Sequence, residues 1–497
     1  MSELRITNSL TREKELFKPI NPPYVGMYVC GPTVSGESHL GHVRTAVTFD
    51  IVFRYLKYLG YHVRYVRNIT DAGHFEEEGR EAVDKVATKA QLEKLEPMEL
   101  VTKYTNMYHD AMDKLNVMRP SIEPTATGHI IEQINMIEEL IAKGFAYVVN
   151  GSVYFDVIKY AKGHDYGRLS GRKIDEMIAG SRELEGQGEK HNAADFALWK
   201  NAPPEHIMRW ISPWGEGFPG WHIECSAMAT KYLGTPFDIH GGGMDLLFPH
   251  HESEIAQTTI ATGKAPAKYW MHCNMLTING QKMSKSLNNT ITLSQLFSGT
   301  HPLLAQAYSP MVIRFFILQT HYRSTVDFSN EALQAAEKGL LRLMNALATV
   351  KKLQYTRSEN VVEKEEKEVN ALIESLHDYM NDDLNTAQTL AALFELAGKI
   401  NSYVNERLPL NSISEKTFTS LQKAFSLFVE DILGLKEDNA ADSGAEMDGL
   451  MQIMIQLRKE AKERKDFATG DRIRNELLKL KVRLKDNKDG TTGWEME

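Results

Sequence analysis

The strongest constraint on the fold is a strand–loop–helix–strand pattern near the start of the chain. The string VGMYVC at residues 25–30 predicts a buried strand, and apolar side chains recur at helical spacing through residues 43–59. Gly60 ends that helix, and residues 62–69 alternate as a second strand does. This unit is the building element of a nucleotide-binding sheet, so we expect an α/β domain with a doubly wound parallel sheet of the Rossmann type.

The loop between the first strand and its helix carries the string HLGH, which begins at His39. Backbone N–H groups are free at a helix N-terminus, so this position suits an anion such as a triphosphate. Gly41 would let a base or phosphate approach the backbone closely. We therefore predict that His39 and His42 are catalytic and that all three residues bind the nucleotide. Alone, such a string is also typical of a solvated loop.

A second string, KMSKS, begins about 240 residues later at Lys282. It places two lysines among small residues in a loop, and a flexible lysine suits a loop that closes on departing pyrophosphate. Lys282 and Lys285 are predicted catalytic residues, with Lys285 on the pyrophosphate. Alone, KMSKS is equally typical of an exposed basic loop. The ordered pair of strings, the first after a predicted strand, indicates an enzyme that forms an adenylate.

A third group of residues has the chemistry of a metal site. Thiolates and imidazole suit zinc, and a carboxylate can complete a tetrahedral shell. Positions 250 and 254 lie four residues apart, so on a helix they share one face. His251 and Glu252 are competing ligands, and free cysteine is more often a buried small apolar residue. The candidate ligands are Cys30, Cys225, His250 and Glu254.

Composition limits the class of protein. The chain has 497 residues, 42% of them hydrophobic and 25% charged, which is typical of a globular protein of two to four domains. The net charge of −9 excludes a global basic field, so any RNA contact must use a local basic patch. Three cysteines favour a reducing compartment. With no signal peptide or membrane-span pattern, we expect a cytoplasmic protein.

The chain divides by pattern into six predicted segments. A Gly-, Lys- and Asp-rich stretch interrupts the α/β domain, and beyond residue 330 helical periodicity replaces strand signals. Residues 237–240 predict a short strand before Gly241–Gly243, which alone could be a simple turn. A polar linker at 437–448 precedes the last segment. The predicted segments are the first half of the α/β catalytic domain (1–146), an insertion (147–204), the second half (205–263), a KMSKS-containing region (264–329), a helical bundle (330–436) and a small basic C-terminal domain (449–497).

At these residues the chain resembles the cysteinyl-tRNA synthetases, a family of class I aminoacyl-tRNA synthetases, nearly from end to end. HLGH and KMSKS mark class I in general, whereas WHIECSAM is specific to this family. The resemblance also includes the strings MYVCGPT (27–33), NITD (68–71), GWHIECSAM (220–228), FDIHGGG (237–243) and FPHHE (248–252).

The resemblance implies one zinc ion, held by the four candidate ligands, that binds the thiolate of the substrate cysteine. A serine hydroxyl is a far poorer zinc ligand, so no editing domain is expected. ATP with Mg²⁺, L-cysteine and a cysteine-specific tRNA are the implied partners, and a monomer is expected. Residues implied in cysteine binding are Gly31, Thr70, Trp221 and His240. Residues implied in ATP binding are His39, Gly41, His42, Gly243, Asp245 and Lys285.

Three segments depart from the family pattern. Residues 71–74 (DAGH) stand where many members carry an acidic Asp-Asp-Lys segment. Asn288 follows the second motif where glycine is usual, and the C-terminal string GTTGW at 490–494 has an extra glycine. Contacts made by these segments in the family are therefore not carried over to this chain.

The C-terminal segment offers a local basic patch. Residues 458–489 hold twelve Lys and Arg against seven Asp and Glu, a net charge of +5 that suits RNA phosphates, although a solvated helix face has the same pattern. Trp494 could stack on an anticodon base. We therefore predict ligation of L-cysteine to its tRNA through a cysteinyl-adenylate. The alternatives are an ATP-dependent cysteine ligase acting on a small amine, and an inactive RNA-binding relative, which the intact motifs disfavour.

Overall fold

The computed structural model of the chain places most residues. The described residues are 3–72, 86, 89–90, 95–174, 189–204, 206–283, 287, 289–355, 361–405, 409–437, 444–464, 466–480, 482–486 and 492–496. By contacts they form two compact units, Met1–Lys436 and Glu437–Glu497.

Strands and α-helices alternate through the first half of the chain, and helices dominate the second half. The described strands are β1 Arg5–Asn8, β2 Glu13–Leu16, β3 Tyr24–Val29, β4 His62–Arg67, β5 Ala146–Val149, β6 Ser152–Phe155, β7 Phe196–Asn201, β8 Trp210–Ser212, β9 Gly215–Pro219, β10 Phe237–Gly243, β11 Ala267–Cys273, β12 Leu276–Ile278, β13 Gln281–Lys282, β14 Val326–Phe328, β15 Val482–Asp486 and β16 Thr492–Met496. The described α-helices are α1 Leu40–Tyr58, α2 Pro97–Lys114, α3 Ile130–Ala142, α4 Val157–Ala161, α5 Trp221–Leu233, α6 Glu252–Thr262, α7 Leu293–Ser298, α8 Pro310–Leu318, α9 Asn330–Lys352, α10 Glu363–Asn381, α11 Thr386–Val404, α12 Glu415–Ser426, α13 Gly444–Glu463 and α14 Phe467–Lys479.

A four-stranded parallel sheet, in the order β11-β10-β3-β4, carries the predicted α/β fold. Because side chains alternate along a strand, Met27 and Val29 of β3 pack in the same core as α1, while Tyr28 packs with Cys225 and Met228 of α5 on the opposite face. Helices therefore cover both faces, as a doubly wound parallel sheet requires. All four strands end at one edge, where β3 and β10 deliver the ends that carry most candidate site residues.

The glycines at 241–243 are part of β10 and not a turn after it. Gly241 pairs with Val29 of β3, and a Cβ added to it would lie 2.2 Å from the ring of Phe49 in α1. β10 therefore includes the three glycines. Glycine is required at position 241 because α1 packs too close for a side chain there.

The insertion is an antiparallel sheet of five strands, in the order β5-β6-β7-β9-β8. Its last strand in sequence, β9, ends at Pro219. The sheet therefore continues beyond residue 204, the end of the insertion predicted from the sequence. Gly220 then leads directly into α5, which places the insertion immediately before the WHIEC string.

Helices α9 to α12 follow as a bundle and share one hydrophobic core with the parallel sheet. Arg314 of α8 joins the two layers. It is fully buried, its Nη2 donates to Asp50 of α1 at 2.5 Å, and its Nε donates to the carbonyl of Leu433 at 2.8 Å. The helix that begins with HLGH is therefore attached to the bundle by a buried ion pair.

The second unit contains α13, α14 and the antiparallel hairpin β15–β16. A small core of Met451, Leu477, Val482 and Leu484 holds it together. Helix α13 begins at Gly444, inside the stretch predicted as linker. In the described residues of the whole chain, every helix is too short or too polar to cross a membrane.

Candidate functional site

The two motif loops meet at the carboxyl edge of the parallel sheet. A Cβ on Gly41 would lie 3.3 Å from the Cε of Met283, inside KMSKS. Just after that motif, the amide of Leu293 donates to the carbonyl of Ser38 at 2.9 Å, and Thr292 forms a β-bridge with His39. The segment that follows the second motif is therefore hydrogen-bonded to the loop that carries the first motif.

The histidines of HLGH cap the start of α1. The Nδ1 of His39 accepts from the amide of Gly41 at 3.2 Å, and the amide of His39 donates to the Nδ1 of His42 at 3.1 Å. The two rings stack with centroids 4.0 Å apart. Burial, and then the neighbouring charge of His39, lower the pKa of His42 to about 3. A neutral His42 can donate a hydrogen bond to a phosphate oxygen without a permanent charge.

The other residues predicted to bind the nucleotide lie around the same edge. Gly243 ends β10, Asp245 follows in an exposed turn, and a Cβ on Gly243 would lie 2.3 Å from the Oδ1 of Asp245. Lys282 is exposed on β13. Lys285 and Asn288 lie outside the described residues.

A buried cluster of thiols, imidazoles and a carboxylate lies beside this edge. Cys30 directly follows β3, and its Sγ lies 3.7 Å from the Sγ of Cys225 on α5. The Oε1 of Glu254 on α6 lies 3.6 Å from the Sγ of Cys30 and 3.1 Å from the Nε2 of His250. The donor atoms of these four residues all lie within 4.8 Å of one another, an arrangement that could hold a metal ion.

A second overlapping group also meets that distance limit: it replaces Cys225 and His250 by His240 and His251. The Nε2 of His251 lies 3.3 Å from the Sγ of Cys30 but 4.0 Å from the Oε1 of Glu254. The Nε2 of His240 lies 2.8 Å from the Oε2 of Glu254, whereas Cys30 and His250 contact the other oxygen of that carboxylate. Of the two groups, only the first contains two thiols, and in it Cys30 and His250 contact the same carboxylate oxygen of Glu254.

Glu252, the competing carboxylate, is used elsewhere. It is buried, and its Oε2 accepts from the amide of Ser170 at 2.9 Å and its Oε1 from that of Leu169 at 3.5 Å. The neighbouring Ser253 hydroxyl lies 3.4 Å from that of Tyr166. This carboxylate therefore ties the insertion to the start of α6.

The cluster is charged before any metal is considered. Burial raises the pKa of the Cys225 thiol, but the hydrogen bond with Cys30 and the charge of His250 outweigh it and bring the pKa to about 6. Burial likewise raises the pKa of Glu254, yet the charges of His240 and His250 lower it to about 2. For Cys30, burial and the hydrogen bond with Cys225 raise the pKa well above its usual range. These shifts favour a thiolate at Cys225 and a carboxylate at Glu254. Burial lowers the pKa of His250, but the charges of Cys225 and Glu254 outweigh it and raise that pKa to about 10. A metal ion would therefore have to displace the proton of this imidazole.

The residues implied in cysteine binding surround this cluster. Trp221 begins α5, and its ring centroid lies 4.4 Å from that of His250. The Oγ1 of Thr70 donates to the Oε2 of Glu224, the residue before Cys225, at 3.0 Å. The ring of His240 stacks on Trp270 at 4.3 Å. The fold therefore brings Gly31, Thr70, Trp221 and His240 close to the cluster that contains the two thiols.

Comparison with known proteins places the chain in a family. A family model described as the catalytic domain of class I tRNA synthetases (C) matches residues 16–339, and a DALR domain model matches residues 376–437. A cysteine–tRNA ligase of Bacteroides fragilis is 57% identical over 490 residues, and one of Porphyromonas gingivalis is 56% identical over 489 residues; each match covers 98% of both chains. The chain belongs to the cysteine–tRNA ligase family.

More distant relatives and solved structures agree with this family assignment. The cysteine–tRNA ligase of Chlorobaculum tepidum is 45% identical over an alignment of 503 positions that covers 99% of each chain. Methionyl-tRNA synthetase of Mycobacterium tuberculosis bound by methionyl-adenylate superposes with a TM-score of 0.53 at 15% identity, over 84% of this chain and 90% of that one. Agrobacterium radiobacter LeuRS, in a ternary complex with tRNA and LeuAMS, has a TM-score of 0.56 at 12% identity over 86% of each chain. These structures show that cysteine–tRNA ligases share their fold with other synthetases.

Two histidines beside the cluster were not singled out from the sequence. The Nδ1 of His222 lies 2.9 Å from the Nδ1 of His250, and the Nε2 of His272 lies 2.8 Å from the Nδ1 of His251. These contacts orient the rings whose other nitrogens face the thiols and the carboxylate. The signal for His222 was present in the string WHIEC, whereas His272 is brought to the site only by pairing of β11 with β10.

Proposed function

We propose that this chain ligates L-cysteine to its tRNA at the expense of ATP. Cysteine and ATP form cysteinyl-adenylate and pyrophosphate, and the cysteinyl group then passes to the terminal ribose of the tRNA with release of AMP. The single observation that supports this proposal most is the buried pair of thiols with His250 and Glu254, set beside the joined HLGH and KMSKS loops. The full-length match to cysteine–tRNA ligases supports the same reaction.

We propose further that the metal is zinc, held by Cys30, Cys225, His250 and Glu254. Two thiolates at about 2.3 Å from one tetrahedral zinc are about 3.8 Å apart, and the two Sγ atoms lie 3.7 Å apart. Two thiolates, an imidazole and a carboxylate form a donor set that zinc favours. When bound, zinc supplies a site that prefers a thiolate over a hydroxyl, and this preference distinguishes cysteine from serine.

The protein's own residues account for the other requirements of adenylation. The capped N-terminus of α1 and the neutral His42 supply N–H donors for the triphosphate. His39 is held by the amide of Gly41, which fixes the orientation of its ring. Lys282, and Lys285 beyond the described residues, are the cations assigned to the departing pyrophosphate. Asp245 lies at the end of β10 where a ribose would lie in a nucleotide-binding sheet.

The alternative acceptor, a small amine, is not favoured. The match to cysteine–tRNA ligases continues beyond the catalytic domain through the DALR domain at residues 376–437. An enzyme that only passed cysteine to a small amine would have no need for an additional helical module of this kind. The partner we assign is therefore a tRNA, with the helical bundle and the basic C-terminal unit as its contact surfaces.

Removal of one thiol tests the proposal. Cys225→Ala should lose bound zinc and with it cysteine-dependent exchange of pyrophosphate into ATP, because three donors with only one thiol remain. The matched control is Cys273→Ala: that cysteine is also buried but contacts Thr45 and not the cluster. The control should retain one zinc per chain and near-normal exchange, measured by elemental analysis and isotope exchange.

An aminoacylation assay examines which amino acid the protein selects and which acceptor it uses. The unchanged protein should charge tRNA with cysteine and not with serine, and should give no product with small amines in place of tRNA. Full exchange by Cys225→Ala would contradict the zinc assignment. Equal charging with serine would contradict selection through sulfur.

A further inference from the structure

Asn68 lies at the centre of the amino-acid site and is neither a candidate metal ligand nor a candidate substrate contact. It follows β4 at the carboxyl edge of the sheet, and only 1% of its surface is exposed. Its side-chain carboxamide lies between Gly31, which follows Cys30, and Thr70, which is predicted to bind cysteine. The amide thus contacts the ends of two neighbouring parallel strands at once.

The orientation of this carboxamide follows from its neighbours. The backbone N–H of Gly31 can only donate, so the atom 2.9 Å from it must be the Oδ1 of Asn68. The Nδ2 then faces the Oγ1 of Thr70 at 3.0 Å and donates to it. Because the hydroxyl oxygen of Thr70 accepts there, its proton is directed to the Oε2 of Glu224, 3.0 Å away. The three hydrogen bonds that link Gly31, Asn68, Thr70 and Glu224 therefore all run from donor to acceptor in the same direction, towards Glu224.

This chain of hydrogen bonds connects three segments of the candidate site. Gly31 directly follows Cys30, and Glu224 directly precedes Cys225. The Sγ of Cys225 lies 3.8 Å from the same Oδ1 that accepts from Gly31. One carboxamide is consequently in contact with the backbone next to one thiol, with the other thiol itself, and with Thr70.

Tight packing makes the arrangement hard to replace. A Cβ on Gly31 would lie 1.6 Å from the backbone oxygen of Asn68, so β3 and β4 approach closely at their ends. Thr70 and Glu224 are as well buried as Asn68. Bulk water therefore cannot take over the hydrogen bonds when the carboxamide is removed.

We propose that Asn68 is a positioning residue for the cysteine site, acting through Gly31, Thr70 and Cys225. It sets the separation of the two thiols by contacting Gly31, next to Cys30, and Cys225 itself. It also aligns the Thr70 hydroxyl, which donates to Glu224. The inference rests on the proposed function for its kinetic consequences. Its effect on the thiol pair is a property of the protein alone.

The experiment compares two variants that interrupt the chain of hydrogen bonds at different points. Asn68→Ala removes every contact of the carboxamide, whereas Thr70→Val removes only its far end and leaves Asn68 bonded to Gly31. Asn381→Ala is the control, because Asn381 is similarly buried but accepts from Tyr55 in another part of the fold. For each purified protein we would measure zinc affinity by chelator competition and the KM values for cysteine and ATP in pyrophosphate exchange.

For Asn68→Ala we expect zinc affinity to fall about 10–100-fold, as for other outer-shell changes at metal sites. Its KM for cysteine should rise about tenfold, the scale of one lost buried hydrogen bond, with the KM for ATP within about twofold of normal. Thr70→Val should show the change in KM for cysteine without the change in zinc affinity. Asn381→Ala should show neither.

Unchanged zinc affinity in Asn68→Ala, or equal rises in the KM values for cysteine and ATP, would overturn the inference. Failure of the proposed function is distinguishable, because it would appear in the unchanged protein as exchange that does not depend on cysteine. The zinc affinities of the variants would still test the role of Asn68 in that event.

Discussion

Individual residues in this protein are constrained mainly by close approach of the backbone at the carboxyl edge of the sheet. Gly31, between Cys30 and the loop, allows the ends of β3 and β4 to come together, and the buried Asn68 then bonds to its amide. The Sγ atoms of Cys30 and Cys225 lie 3.7 Å apart beside this packing. That separation is compatible with two thiolates on one metal ion.

Gly31→Ala should destabilise the protein by about 3 kcal/mol, the upper end of the usual cost of overpacking. The new methyl group would overlap the backbone oxygen of Asn68, so the strand ends must separate. Denaturant unfolding measures the change. Gly36→Ala, earlier in the HLGH loop, is the control because a Cβ there meets nothing within 4 Å. Equal stability of the two variants would show that the strand ends are not in contact.

At the level of elements, helix ends and strand ends meet at the predicted nucleotide site. Helix α1 begins at Leu40 with His39 as its cap, and α7 begins at Leu293 with Thr292 as its cap. The two caps form a β-bridge with each other. The start of α7 is thus bonded to the loop that carries the first motif. If these loops bind ATP as proposed, loss of the cap should weaken that binding.

Thr292→Ala should raise the KM for ATP about fivefold, which corresponds to the roughly 1 kcal/mol that loss of a helix cap costs. The Thr292 hydroxyl accepts from the amide of Gln295 at 3.3 Å, and without it the first turn of α7 frays beside His39. The KM for cysteine should not change. Thr292→Ser keeps the cap and should behave as the unchanged protein in pyrophosphate exchange. A rise in the KM for ATP in both variants would show that the methyl group of Thr292, and not its hydroxyl, is responsible.

At the scale of the whole molecule, a few buried polar contacts connect α1, which packs on the parallel sheet, to α8, which shares a hydrophobic core with the helical bundle. Asp50 of α1 accepts from Arg314 of α8 and from Arg54, and the amide of Met118 donates to its other oxygen at 2.8 Å. Arg314 also donates to the carbonyl of Leu115 at 3.0 Å. The helix that carries HLGH is consequently part of the same packed unit as the segment expected to contact tRNA.

Arg314→Leu should lower the free energy of unfolding by about 3–5 kcal/mol, because it leaves the Asp50 carboxylate buried without its main partner. The double variant Asp50→Leu with Arg314→Leu should recover part of that loss. Glu363→Gln breaks an exposed pair with Lys367 and should change stability by less than about 0.5 kcal/mol. Urea titration followed by circular dichroism measures all three. A loss as small for Arg314→Leu as for the exposed pair would contradict a stabilising role for the buried pair.

Much of the fold was predictable because its signals are local. The strand–loop–helix–strand unit, the helices after residue 330 and the HLGH position all lie where periodicity and capping residues predict them. The parallel, doubly wound class is confirmed, and so is the family. The six domain limits and the individual ligand roles stay predictions. The glycines at 241–243 could not be assigned to a strand from sequence, since the groups that a side chain would meet there, Phe49, His251 and Asp245, are brought close only by the fold.

The amino-acid sequence by itself determined which chemical groups this protein carries. These are two motif strings suited to a triphosphate, and cysteines, histidines and carboxylates suited to a metal. Only the tertiary structure decided which of them share a site. It separated Glu252 from Glu254, brought His272 beside His251, and placed Asn68 between the two thiol segments. The physical reason is that hydrogen-bond partners far apart in sequence are set by strand pairing and helix packing, which no local pattern encodes.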